Sequence, residues 1–463
     1  MKLNYFNFKE LNDQILLTND FGDHVFLEKE EFQQLLLKRI AKGSVLEDKL
    51  IKKRMIYDDS DLSFSREQSY DLRKAKNHLL SATSLHIFVV TTACNQNCVY
   101  CQANNGKTDS NLFMNGKTAE AAVDLALQSP SKQLSFEFQG GEPLLNFPVI
   151  RHIIEYAEQK KTDQRIHYNL VSNLTLLTDE MLRFFTDNEV GISTSIDGNE
   201  WTHDCNRKYR NGAGSFQDVK AMVRKVKDAG LKVGAIETTT RNAFGLETEM
   251  IDTYLDMGFD NIFLRPLTPL GKALNAWGRI GYSAEEYLDF YKKTLNYILS
   301  LSREGVKIME GHAVLFLRRI FGNNANYMEL RSPCGATLGQ LAYFPDGNVF
   351  TCDEGRMLYE MGKEAFLLGS VMQNRYNDIV NNGICRAVCA SSVLESIPSC
   401  CDCVYQPFCG TCPVVNYALD EDVLEKHPHS YKCRIYKGML DMLFGILQSD
   451  DKELINILSS WGN

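Results

Sequence analysis

From Leu85 the chain repeats one unit six times: an apolar strand-like run, a loop, then an amphipathic helix. LHIFVVTT leads to KTAEAAVDLALQ, LSFEFQG to PVIRHIIEYAEQK, HYNLVSN to TDEMLRFFTDN, GISTSID to SFQDVKAMVRKVKDAG, and KVGAIETTT to LETEMIDTYLDMG. NIFLRPL opens the sixth unit, whose long helix starts at Ser283 with Glu286 three residues on, a capping box. Alternation of this kind builds a parallel sheet with helices outside it. Six units are too few for a closed eight-unit barrel, so the pattern predicts an open, partial (β/α)6 barrel over residues 84–309.

The flanks read differently. Within residues 1–83, short strands, among them ILLTND and HVFLE on either side of a Phe21-Gly22-Asp23 turn, precede two helices, KEEFQQLLLKRI and SVLEDKLIKKRMI, making three strands and two helices in all. A polar stretch from Asp58 to His78 then reads as a linker able to hold a helix. Residues 310–463 lose the rhythm and become rich in cysteine.

Composition narrows the class. Of 463 residues, 44 % are hydrophobic and 24 % charged, as in ordinary globular proteins, which excludes wholesale disorder. No run of eighteen apolar residues exists to cross a membrane, and the opening MKLNYFNFKELNDQ lacks the apolar stretch and small-residue cleavage site of an export signal. A net charge of −9 argues against a general nucleic-acid surface. These features point to a cytoplasmic protein with no membrane or nucleic-acid partner. There, fourteen clustered cysteines point to metal rather than disulfides, since a chain this long builds its core without staples.

Active sites of parallel barrels sit at the C-terminal ends of the strands, and the unusual residues fall there. Cys94-x3-Cys98-x2-Cys101 follows the first strand and Gly140-Gly141-Glu142-Pro143 the second. Ser172-Asn173 ends the third, Ser193, Ser195 and Asp197 the fourth, Glu237 through Thr240 the fifth, and Arg265 the sixth. Three thiolates do not complete a four-ligand structural site, but they can hold a cubic four-iron cluster with one iron open to another ligand. A zinc knuckle borrowing a distant fourth ligand is the alternative. Gly140 and Gly141 permit close backbone approach, and Glu142 supplies an acceptor for an amino group. Taken alone, the same three residues make a tight turn after a strand.

Together these residues resemble the radical S-adenosylmethionine (SAM) superfamily, over about residues 84–305. The resemblance implies that Cys94, Cys98 and Cys101 hold a [4Fe–4S] cluster whose open iron chelates the amine and carboxylate of SAM. It implies that Gly140, Gly141 and Glu142 bind that amine, that Tyr100 lies near adenine, and that Ser195 and Arg207 bind ribose or carboxylate. Read singly, Ser195 is also a strand-end hydroxyl and Arg207 a surface charge. One electron from the reduced cluster would cleave SAM to a 5′-deoxyadenosyl radical, which abstracts hydrogen from an unactivated C–H bond, with the protein supplying orientation.

Cys334-x12-Gly347-x4-Cys352, then Cys400-x2-Cys403-x5-Cys409-x2-Cys412, then Cys433, resembles the SPASM extension of peptide-modifying radical SAM enzymes, which carries two auxiliary [4Fe–4S] clusters. The family has three residues where only Gly410 and Thr411 stand here. Its pattern implies Cys400, Cys403, Cys409 and Cys433 around an outer cluster and Cys334, Cys352 and Cys412 around an inner one. The fourth inner ligand stays open between Cys385, Cys389, Cys401 and an iron free for substrate. CxxC pairs with distal cysteines also suit zinc. Asp353 matches an aspartate that serves as general base in sulfatase-maturating relatives, and it also suits a turn cap in TCDEG. Cys205 stands alone and reads as a small buried residue.

The N-terminal segment looks like the winged-helix-like leader-recognition elements of peptide maturases, which bind precursors by strand addition; a structural cap on the barrel is the other reading. FEFQGGEPLLNF, IFLRPLTPLG, CDCVYQPFCGTCPVVNYA and the opening NYFNF…LLTNDFGDHVFLE look closest to the His-Xaa-Ser system maturase group. That likeness implies a ribosomally made precursor peptide as substrate, a carbon–carbon, cyclophane or thioether crosslink as product, and a flavodoxin or ferredoxin as electron donor. Formylglycine formation by a sulfatase-type maturase and peptide epimerisation are the alternatives within enzymes. A zinc scaffold for protein binding is the alternative outside them.

Overall fold

The computed structural model describes residues 2–58, 62–103, 111–322, 327–424, 428 and 430–462. Its centre is a sheet in which the six strands Leu85–Thr91, Gln133–Gly140, Arg165–Val171, Gly191–Ser195, Val233–Thr239 and Asn261–Pro266 lie side by side in chain order, all parallel. Burial alternates along them. Phe136, Phe138, Leu170, Ile192, Ile262 and Leu264 are sealed under the helices. On the opposite, concave face stand Ser135, Glu137, Gln139, Asn169, Ser193, Ser195, Thr238 and Arg265, all partly exposed. A parallel sheet normally reads apolar on both faces, so this polar concave face marks where ligands go.

The sheet does not stop at six strands. Met309–Glu310 adds parallel to the sixth. Beside the first strand, Gln340–Tyr343 adds in parallel, followed by Asn348–Phe350 and Leu367–Ser370 in antiparallel order, giving ten strands. The cysteine-rich region is therefore continuous with the barrel sheet. His86 and Tyr343 cross that joint, with 2.7 Å between Nδ1 and the phenol oxygen and their rings stacked. The helices Tyr431–Gln448 and Lys452–Gly462 return to pack on Ala284–Arg303 and Gly311–Ile320.

At the N-terminus Asn7–Leu11, Gln14–Thr18 and His24–Leu27 form an antiparallel sheet, and helices Lys29–Leu36 and Val45–Lys52 close it over Leu17, Leu27, Leu35 and Leu50. The second helix is shorter than its apolar pattern predicts: Arg54 turns at φ +54° and Ile56–Tyr57 pairs with Lys2–Leu3 as a further ribbon. Of the polar stretch after it, residues 59–61 lie outside the described residues, and Leu62–Ala75 is helical. The small sheet is tied to the cysteine-rich region. Tyr5 Oη donates to Cys401 O (2.9 Å), Asn7 Nδ2 to Cys401 O and Cys403 O (3.0 and 3.2 Å), and Thr18 Oγ1 to Val404 O (2.6 Å). Among the described residues no helix is long and apolar enough to cross a membrane.

Candidate active site

Cys94, Cys98 and Cys101 lie on one loop leaving the first strand, and the rest of the rim fixes that loop by its backbone. Asn97 N donates to Lys208 O (2.7 Å), Val99 N to Asn206 O (2.9 Å), Arg210 Nε to Cys94 O (2.8 Å) and Lys272 N to Cys101 O (3.0 Å). All three thiols are partly buried. Burial pushes Cys94 up to about 12 and Cys98 up to about 11, and raises Cys101. Unmetallated, they are neutral thiols, so loading with metal must displace protons.

The Gly140-Gly141 turn is the loop's other support. Gly141 N donates to Thr91 O (2.9 Å) and Glu142 N to Ala93 O (2.7 Å). The backbones touch so closely that a Cβ on Gly140 would collide with Thr91 O and one on Gly141 with Ala93 O. Glu142 is fully buried. Its carboxylate accepts from Ser172 Oγ (2.7 Å), Leu144 N (3.0 Å) and Asn173 N (2.8 Å). Burial nonetheless pushes it up to about 6. A carboxylate offers about four acceptor positions, and these three bonds leave about one for an amino group.

Tyr100 is buried, and its hydroxyl donates to Asp197 Oδ2 (2.6 Å) while accepting from Arg207 Nε (2.7 Å). Arg207 also pairs with Asp197 (3.3 Å), and Asn206 Nδ2 bonds the same carboxylate (3.2 Å). Arg207 is thus no loose surface charge: it clamps Tyr100 behind the cysteine loop. Ser195 ends its strand on the concave face, in register with Ile236. Cys205 is half-buried rather than buried, on a short helix beside Trp201 and Lys208.

Asp353 opens the helix Asp353–Glu360 and accepts from Arg356 Nε (2.8 Å). Arg356, only 2 % exposed, also pairs with Glu360 (2.8 Å) and donates to Gln139 Oε1 (3.2 Å). Gln139 in turn donates to Glu137 (2.6 Å). A hydrogen-bonded chain therefore runs from Asp353 to the strand carrying Gly140. Neither Arg356 nor Glu360 stood out in the sequence, although D-x-x-R-x-x-x-E places both acids one helical turn from the arginine, a spacing that signals a bracketed cation.

Cys334, Cys352 and Cys412 line one cavity of about 110 Å³, together with Arg265, Glu329, Glu354 and Lys432. Burial raises all three thiols. Cys385, Cys389 and Cys401 are not among the residues lining that cavity. Cys385 and Cys389 sit one turn apart on the helix Gly383–Ala390, with Cys385 Sγ on Ile379 O (3.2 Å), and Cys401 Sγ bonds Asp402 (2.7 Å). Cys400 and Cys409 pack around Leu394 and Ile397, and Cys403 lies near Cys400 and Cys433. Among the described residues no three histidine, cysteine or acidic side chains converge as a single metal ion requires. In a four-iron cube each thiolate bonds a different iron, so cysteines spread around a cavity fit that donor set.

A family model described as the radical SAM superfamily matches residues 88–257. An uncharacterized protein from Methanocaldococcus jannaschii is 31 % identical over 207 residues, 42 % of this chain and 71 % of that protein. The cysteine-type anaerobic sulfatase-maturating enzyme of Clostridium perfringens strain 13 is 22 % identical over 78 % of this chain and 96 % of its own. Among solved structures, native anSMEcpe with bound AdoMet superposes with a TM-score of 0.70 at 20 % identity, over 82 % of this chain and 99 % of that one. Streptococcus suis SuiB bound to its precursor peptide SuiA gives 0.55 at 13 % identity, over 91 % and 98 %.

Proposed function

We propose that the chain, whose residues 88–257 are a radical SAM domain that implies SAM and a [4Fe–4S] cluster, is a peptide maturase that crosslinks a ribosomally made precursor. The observation carrying this reading is the shared concave face. The cysteine loop, Glu142 and the Tyr100–Asp197–Arg207 clamp ring it, and Arg265, at the end of its sixth strand, also lines the cavity of Cys334, Cys352 and Cys412. In this reading residues 1–83 receive the leader, 84–309 form the radical barrel, and 310–463 carry two auxiliary clusters in a SPASM arrangement. The likeness to SuiB, whose structure holds a precursor peptide, supports a peptide substrate. The narrower His-Xaa-Ser assignment rests on the sequence stretches alone.

When bound, SAM and a reduced cluster supply a 5′-deoxyadenosyl radical able to take hydrogen from a substrate carbon. Cys94, Cys98 and Cys101 hold the iron. Gly140, Gly141 and Glu142 take the methionyl amine, Glu142 through its remaining acceptor position, while Tyr100, Ser195 and Arg207 shape the adenosyl end. Cys334, Cys352 and Cys412 hold the inner auxiliary iron, and Cys400, Cys403, Cys409 and Cys433 the outer. Asp353, oriented by Arg356, would accept the proton that substrate carbon or heteroatom loses as the new bond forms, and the one electron released with it would pass to the iron that Cys334, Cys352 and Cys412 would hold.

A second reading, formylglycine formation, is favoured by the likeness to the sulfatase-maturating enzyme over 96 % of its length. Anaerobic reconstitution tests the common part: about twelve irons, falling to about eight in a Cys94, Cys98 and Cys101 triple alanine variant, with loss of SAM cleavage. Little iron with stoichiometric zinc would sink both readings. Mass spectrometry of the precursor then separates them. A product lighter by two hydrogens with fused fragment ions means a crosslink, a hydrazide-reactive aldehyde means formylglycine, and deuterium uptake at unchanged connectivity means epimerisation.

A further inference from the structure

The face over the cysteine loop carries charge opposite to that of the chain. The whole molecule is −9, yet the three segments that build this face, residues 92–103, 206–214 and 271–281, contain no Asp or Glu. They carry Arg207, Lys208, Arg210, Lys272 and Arg279. Arg207 turns inward to Asp197, leaving four cations around the loop. Lys208, Arg210 and Arg279 are exposed and Lys272 is half-buried. They surround one spot: Lys208 O receives Asn97 N, Arg210 Nε reaches Cys94 O, and Lys272 Nζ bonds Asn97 Oδ1. An open groove beside the loop is lined by Asn97, Cys98, Val99, Lys272, Asn275 and Arg279, so the Cys98 side of the site is its floor. Of the acids beside the patch, Asp204 accepts from Ser215 N (2.8 Å) and Phe216 N (2.9 Å) and Asp218 from Tyr209 Oη (2.7 Å), while the exposed Glu200 shares a surface groove with Lys208.

We propose that this face docks a small acidic electron-carrier protein, with Lys208, Arg210, Lys272 and Arg279 steering it and the Asn97–Cys98 segment as the point of electron entry. The inference rests on the radical SAM reading: the carrier is oxidised by one electron, and the cluster held by Cys94, Cys98 and Cys101 is reduced by one. On a molecule of net negative charge, a distant acidic partner is repelled, and a local cationic patch of this kind is what selects its orientation and raises its association rate.

The test compares wild type with Arg279→Glu, Lys208→Glu and the double variant, all reconstituted, with an acidic flavodoxin and an acidic ferredoxin as donors and dithionite as the small reductant. Binding of each donor is measured by interferometry, and SAM cleavage with each reductant. The expected result is about tenfold weaker donor binding and donor-driven cleavage in the double variant at low salt, with smaller losses in the single variants. Wild type should lose the same advantage as ionic strength rises to about 0.5 M, while dithionite-driven cleavage stays within about twofold. Unchanged donor binding in every variant overturns the proposal, as does an equal loss with dithionite, which would mean a damaged cysteine loop. Weakened binding of precursor peptide alone would assign the face to substrate and overturn it as well. Absence of dithionite-driven cleavage in wild type would instead bring down the radical reading beneath it.

Discussion

At Gly141 an added Cβ would collide with Ala93 O and stand 2.7 Å from Thr92 O, and both carbonyls belong to the backbone that runs directly into Cys94. Neither partner is a flexible side-chain end, so the turn and the cysteine loop must part. Gly141→Ala is expected to cost about 1–3 kcal/mol in stability, the usual range for forced overpacking. Its more specific effect should be on metal: iron at the Cys94 loop falls while iron at the C-terminal cysteines is retained, read by iron analysis of the variant alone and combined with the triple alanine change. Equal loss from both regions would mean a general folding defect. Arg356 makes the opposite case, a residue whose removal leaves its neighbours stranded. Asp353 and Glu360 both pair with it at 2.8 Å in a site where Arg356 is 2 % exposed. Arg356→Met should therefore cost about 3–5 kcal/mol, as when one member of a buried ion pair is deleted. Adding Glu360→Gln should restore part of it, and denaturant titration of the single and double variants checks both.

At the scale of elements, the six strand–helix units are legible because each is periodic: a strand of five to eight residues, then two or more helical turns. Helix starts are legible where a side chain caps them, as Ser283 does with Glu286. The three strands Gln340–Tyr343, Asn348–Phe350 and Leu367–Ser370 are three or four residues each, too short for periodicity to register. What creates the first of them is its pairing with Leu85–Phe88, more than 250 residues earlier, and such pairing leaves no local trace. One local signal was there to use: Pro345-Asp346-Gly347 between YF and VF is a hairpin turn, with Gly347 at φ +93°. The site divides in the same way. Cysteine spacings and the Gly-Gly-Glu turn identify themselves by residue type, whereas the clamp of Tyr100 by Asp197 and Arg207, and the chain Asp353–Arg356–Gln139–Glu137, depend on which strands become neighbours.

Across the whole molecule, two joints connect the parts. The first is the N-terminal sheet on the cysteine-rich segment, where Asn7 Nδ2 holds the carbonyls of both Cys401 and Cys403. Asn7→Leu removes one donor each from Cys401 O and Cys403 O, which keep Tyr5 Oη and Gln406 N, a cost of about 0.5–1.5 kcal/mol for each bond lost, and should lower iron at the outer cysteine group with the Cys94 loop untouched. The second joint is between the barrel and its C-terminal extension, and it contains a titratable group. His86, fully buried in the first barrel strand, faces Tyr343 of the added strand at 2.7 Å, and burial pushes it down to about 3. In the unfolded chain a histidine takes up a proton near pH 6.5. Below that pH the unfolded state gains a proton that the folded state refuses, so the contribution of neutral His86 is complete above about 6.5 and shrinks as pH falls, by about 1.4 kcal/mol per unit, until the folded group itself titrates. Buried carboxyls that desolvation pushes up, Glu142 to about 6 among them, act with the opposite sign, so the total stability is the wrong observable. The difference between wild type and His86→Gln isolates the group. Denaturant titrations at pH 7.5, 6.5 and 5.5 should find the variant less stable at 7.5, for its lost packing against Tyr343, and the gap should narrow by about 1 kcal/mol between 6.5 and 5.5, where the unfolded histidine is still part-way through its titration. A gap that stays constant would mean that His86 already carries its proton or reaches water, and that the strand Gln340–Tyr343 does not seal the edge of the barrel.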